Sequence, residues 1–272
     1  MRWMLLFLIG CGKPGGGITV NVSDTTVEAT RGDGLVAIDG ATISLGETDP
    51  QWLSDYAGGD GDRQTIIPEA EFSVAPFLID RFPFPGVEGA AWFSDGAHHS
   101  TVEALDATLA DFGRRACTIT ELLFAAASAD NHRYPYGDEF VAERCEPDDV
   151  NPDFIGTYSS CHSALGIHDF GVRSTWGRLD SQIVSVMSET DQGGSFPGEL
   201  SYASWGGTSR DDTFYAPTNF GFHTHAKEGE DRYLDDGFRI CADTAPTRNE
   251  DLAFARWLDR ALEAGSFEAL FD

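Results

Sequence analysis

The sequence predicts an α+β chain with much irregular structure. Three observations lead there. Glycine supplies 30 of the 272 residues, above the usual share of about 7%, which favours a loop-rich fold over a helical bundle. Short apolar runs bounded by turn residues read as strands. At Ser100 and at Thr118 a hydroxyl residue is followed three positions on by glutamate, a helix-start signal. Apolar residues make up 41%, enough to bury a core. The length allows one large domain or two, at roughly 150 residues each.

In chain order, Met1 to Gly10 place one arginine ahead of a short apolar run, and Cys11 follows. That is the order of an export signal. The run is too short to span a bilayer, which takes about 20 apolar residues. Leu8-Ile9-Gly10-Cys11 is similar to the bacterial lipoprotein box, whose cysteine is lipidated. Residues 1–11 are therefore expected to end at a lipidation site, giving an exported, membrane-anchored lipoprotein of the bacterial cell envelope. Residues 12–33, rich in glycine, threonine and charge, read as a flexible tether.

Leu35-Val36-Ala37-Ile38 and Ala41-Thr42-Ile43-Ser44-Leu45, split by Asp39-Gly40, are expected to form a hairpin. Phe77-Leu78-Ile79-Asp80 reads as a short buried strand, and Pro83 and Pro85 then stop regular pairing. Ser100-x-x-Glu103 opens one helix, with Gly113 as its stop. Thr118-x-x-Glu121 opens the next, running into Leu122-Leu123-Phe124-Ala125-Ala126-Ala127. Each pair lets a hydroxyl and a carboxylate satisfy orphan backbone donors. Between residues 130 and 240 turns and scattered aromatics dominate. Residues 249–263 form an amphipathic helix with Leu252, Trp257, Leu258 and Leu262 near one face, ended by Gly265.

The charge narrows the function classes. Eighteen basic residues face 45 acidic ones, for a net −27, and Lys13 and Lys227 are the lysines. Nucleic acid as a partner is opposed, because it needs a cationic face. The acyl chain alone would hold the protein to lipid. Beyond Cys11, Cys117, Cys145, Cys161 and Cys241 remain. In an exported protein four cysteines suggest two disulfides, with three connectivities open.

Several motifs carry a family resemblance. They are Phe77-Leu78-Ile79-Asp80-Arg81, then Arg115-Ala116-Cys117-Thr118-Ile119-Thr120-Glu121, then Tyr134-Pro135-Tyr136-Gly137-Asp138-Glu139. Ile155-Gly156-Thr157-Tyr158, the run from Ser163 to Phe170, and Gly237-Phe238-Arg239 follow. In this order they resemble the formylglycine-generating enzyme family, also called the sulfatase-modifying factor family, across residues 34–243. The resemblance implies a C-type-lectin-like fold over 34–243, with 244–272 as a C-terminal helical extension. It also implies the pairings Cys117 with Cys241 and Cys145 with Cys161.

Departures from the family decide the expected activity. Catalytic members hold copper(I) on a cysteine pair in the segment before the closing Gly-Phe-Arg. Here that segment, residues 205–233, contains no cysteine. Copper(I) wants soft thiolate ligands, so copper is not expected, nor oxidase chemistry. The family's calcium segment has its counterpart in Val172-Arg173-Ser174-Thr175-Trp176-Gly177. It lacks the asparagine and glutamate ligands, and Arg173 would oppose a cation.

Other clusters are candidates on residue type alone. Glu146, Asp148, Asp149, Asn151 and Asp153 crowd one loop and could wrap calcium. His223 and His225, alternating on a strand, could bind a transition metal together with Glu228 or Asp231. Trp176, Trp205 and Tyr215 are candidates to line a groove for a protein or glycan ligand. The sequence thus points to a non-catalytic binding or scaffold module. The alternative is a metal-dependent enzyme of another type, using His223 and His225.

Overall fold

A computed structural model describes residues 19–22, 25–28, 34–49, 64–93, 99–141, 144–145, 154–170, 172, 175–188, 202–205, 219–221, 237–267, 270 and 271. These residues form a mixed α/β architecture with four helices and several small sheets. No helix among them is long and apolar enough to cross a membrane. Cys11 lies outside the described residues.

Thr19–Val22 (β1) and Thr25–Glu28 (β2) pair antiparallel. Both fall in the stretch expected to be a tether, so part of that stretch has regular backbone. Their β-branched threonines and valines favour the strand conformation there.

Leu35–Ile38 (β3) and Ala41–Leu45 (β4) are strands, but they do not form the expected hairpin with each other. β3 pairs with Phe77–Asp80 (β7) and β4 with Ala70–Val74 (β6), all in one antiparallel register. Ile38 opposes Phe77 and Ala41 opposes Val74. The ladder is interrupted where Asp39-Gly40 faces Ala75-Pro76, because Pro76 has no N–H to donate. Gly40 is a crossing point rather than a hairpin turn. A β-carbon there would lie 2.6 Å from the Val74 carbonyl and 2.7 Å from the Pro76 ring.

His99–Ala110 (α1) starts one residue before the predicted cap, so Ser100 lies inside its first turn. Gly113 follows the helix with φ +66°. Arg115–Ala116 (β8) leads into Ile119–Ala127 (α2). Here the capping box forms as predicted: Glu121 N–H donates to the Thr118 hydroxyl, and Thr118 N–H donates to the Glu121 carboxylate. All nine residues of α2 are buried. Apart from Thr120 and Glu121 the helix is apolar on every side, and such a helix belongs inside a core.

Five strands form the largest sheet, in the order Gly237–Phe238 (β12), Thr175–Arg178 (β9), Tyr202–Trp205 (β10), Asn219–Gly221 (β11) and Gln64–Ile66 (β5). β12 runs parallel to β9. Gly177 on β9 lets α2 approach closely: a β-carbon there would meet Ile119 and Leu122 at 2.8 Å. A second sheet has the order β3, β7, Ile240–Ala242 (β13), β8. Ser181–Ser188 (α3) carries Ile183 and Met187 into the same core as α2.

Arg248–Ala264 (α4) begins at a capping box, Thr247 with Glu250, and ends on left-handed Gly265. Its buried face is Phe254, Trp257, Leu258 and Ala261, separated by three, one and three positions, which fits one helix stripe. Leu252 and Leu262 flank that stripe half-buried. The face packs with Phe84, Phe93, Phe267, Trp176 and Phe238 in one cluster. The C-terminal helix thus shares a core with the residues before it.

Candidate functional site

Several of the sequence motifs meet at one buried arginine. Arg239 sits between β12 and β13, at 0% exposure. Its Nη1 donates to the carbonyls of Asp80 (2.9 Å) and Arg81 (3.2 Å), and Nη2 to the carbonyl of His168 (2.6 Å). Its guanidinium carbon lies 4.4 Å from the centre of the Phe170 ring. His168 N–H in turn donates to the Arg81 carbonyl at 2.8 Å. One side chain therefore ties the end of β7 to the 161–170 loop and to the closing Gly-Phe-Arg segment.

Two buried carboxylates lie in its field. Burial pushes Asp80 up to about 7, against the pull of Arg114 and Arg239. Burial pushes Asp169 up to about 6, against the Gly156 N–H and Arg239. Burial also pulls Arg239 below the usual guanidinium range, with Asp169 and Asp80 opposing. It stays charged at neutral pH.

A second arginine is held differently. Arg115 of β8 donates to both Glu121 oxygens, at 2.8 and 2.6 Å, and its Nε donates to Asp243 at 2.8 Å. Burial works against its charge, but Glu121 and Asp243 outweigh that and raise its pKa. Between the two arginines lies the disulfide Cys117–Cys241, whose residues are both fully buried. Cys117 N–H donates to the Arg239 carbonyl at 3.2 Å. A second disulfide, Cys145–Cys161, lies in a third cluster with Phe82, Trp92, Ile155 and Val172. Both pairings match those the family resemblance implies.

A third polar centre is Asp106 of α1. It accepts from the Ala116 N–H, from Arg178 Nε and from the Tyr202 hydroxyl. Burial and this carboxylate raise the Tyr202 hydroxyl's pKa. Nearer the surface, Tyr134 N–H bonds the Gly137 carbonyl and the reverse, closing a tight turn. The Tyr134 and Tyr136 rings stack at 5.7 Å, with Phe140 5.6 Å from Tyr134.

Of the residues singled out on sequence, Trp176 needs correction as a groove residue. At 0% exposure it is packed in the core with Phe84, Trp257 and Phe238, so it presents no face to a ligand. Its alternation on β9 turns it inward against the aromatic face of α4. Trp205 is placed as backbone in β10 only. Glu146, Asp148, Asp149, Asn151, Tyr215, His223 and His225 lie outside the described residues. Among the described residues no group of three or more His, Cys, Asp or Glu side chains is placed to hold a metal. Asp106 and Asp169 were missed on sequence. The signal was present for Asp169, an acid between His168 and Phe170 in a motif already noted.

No known family model matches the chain, and no curated protein matches it significantly. Among solved structures the chain is similar to PvdO from Pseudomonas aeruginosa. The identity is 15%, over 76% of this chain and 93% of that one, with a TM-score of 0.48.

Proposed function

We propose that the chain is a cell-envelope lipoprotein whose body is a formylglycine-generating-enzyme-like domain serving as a non-catalytic binding or scaffold module. The fold assignment within that proposal is the C-type-lectin-like arrangement of the sulfatase-modifying factors. It is supported by the ordered motifs between Phe77 and Arg239. The single observation that carries the non-catalytic reading is where the sulfur lies. Four of the five cysteines are joined as Cys117–Cys241 and Cys145–Cys161. Cys11 stands in the lipobox-like run, and residues 205–233 supply no thiolate for copper(I).

The lipid anchor is tested by mass spectrometry of the mature amino terminus. A diacylated Cys11 supports it, and an unmodified Met1 on membrane-extracted protein contradicts it. Metal analysis of the purified chain tests the binding-module reading. Stoichiometric iron, copper or zinc that disappears when His223 and His225 are both replaced would favour a metal-dependent enzyme instead. Calcium alone, at the Glu146 to Asn151 loop, is compatible with a binding module.

A further inference from the structure

Asp169 is held in an unusual way. It is 3% exposed, and its backbone is left-handed at φ +60°. That conformation is uncommon outside glycine, though aspartate tolerates it better than most residues. Its N–H donates to the Cys161 carbonyl at 2.8 Å, fixing it beside the second disulfide. Its Oδ2 accepts from Gly156 N–H at 2.7 Å. Among the described residues its Oδ1 has no hydrogen-bond partner. Arg239, the nearby buried cation, directs its Nη hydrogens to backbone carbonyls instead.

We propose that Asp169 is a proton-binding site coupling solution pH to the hold of the Ile155-Gly156-Thr157-Tyr158 segment on the disulfide-bearing 161–170 loop. A buried carboxylate with one donor and one bare oxygen is poorly solvated as an anion. The charged groups bearing on it are few. Arg239 favours the anion, and Glu88, from the segment packed against Gly156, opposes it. On its own loop the His162 and His168 rings lie 5.2 Å apart. Asp80 carries the other buried carboxylate near Arg239.

The sign follows from linkage. The folded segment keeps a proton to about pH 6, whereas an opened, solvated aspartate loses it near 3.9. Protonation therefore favours the latched state, and the latch weakens as pH rises from about 4 through about 6. Two units of difference correspond to roughly 100-fold in the latching equilibrium.

The test is an NMR titration of the full chain, following the Gly156 amide and the aspartate carboxyl carbons between pH 4 and 8. We expect both to move with one midpoint near 6, and the carboxyl signal to vanish in Asp169→Asn. If Asp169→Asn does not fold, hydrogen exchange of Gly156 in the unaltered protein decides. Corrected for intrinsic rate, its opening should rise at least tenfold from pH 4.5 to 7.5. A Gly156 amide that does not shift between pH 5 and 7, a midpoint below 4.5, or pH-independent opening would overturn the proposal.

Discussion

Arg115 and Arg239 are both taken from water, but they are compensated in opposite ways. Arg115 meets two carboxylates, one of which also caps α2. Arg239 meets three carbonyls, while the nearby acids Asp80 and Asp169 are pushed upward by burial. The first is an ion-paired clamp at the rim of the core, one guanidinium on two carboxylates, with Asp243 reaching solvent. The second is a backbone organiser at its centre, whose charge is only partly answered. Arg115 also donates to the Ala116 carbonyl at 3.0 Å, so the contrast lies in the acids: one residue type can fasten a helix start where carboxylates join in, or define loop paths where only carbonyls receive its hydrogens.

The largest expected effect comes from the sulfur bridge between them. Replacing Cys117 and Cys241 together by serine releases a loop spanning 124 positions, and should cost about 4 to 5 kcal/mol in urea unfolding. A cost below about 1 kcal/mol would mean that the arginines hold the sheet unaided. Next, Arg239→Met should cost about 3 to 5 kcal/mol, because carbonyls are orphaned in the core and two acids lose their cation. Arg115→Met should cost less, about 1.5 to 3 kcal/mol, since Glu121 keeps the Thr118 N–H. If equilibrium unfolding reverses that order, the comparison fails.

The subtlest effect is a slope. Asp80 and Asp169 have raised pKa values, so the folded state keeps protons that the unfolded chain releases near pH 4. Their contribution to stability is fully present below about pH 4 and is lost as pH rises through about 6 to 7. Asp80→Asn should flatten the dependence of unfolding free energy on pH over that window. An unchanged slope would show that Asp80 is ionised throughout.

Much of the frame was legible in the sequence because its signals are local. Thr118 and Glu121 announce α2, and Gly265 announces the end of α4. The Thr247–Glu250 box is an equally local signal for the start of α4. Long-range pairing was not legible. Asp39-Gly40 carries a good turn signal, yet β3 and β4 find β7 and β6, because Pro76 and the close passage at Gly40 set the ladder. Trp176 shows the same limit, since an aromatic on a short strand fits a groove or a core until the opposite face is known. The Arg239 centre was visible only as motif fragments. Its meaning depends on which carbonyls the fold brings within reach.

The central claim concerns sulfur: in the proposed reading Cys11 carries lipid and the other four cysteines are held in disulfides, which leaves no thiol pair for copper(I). It is tested most directly by incubating the purified chain with copper(I), oxygen and a cysteine-containing sulfatase-type peptide, then analysing the peptide by mass spectrometry. We predict that the peptide cysteine stays intact. Copper-dependent conversion of that cysteine to an aldehyde by this chain alone would contradict the account.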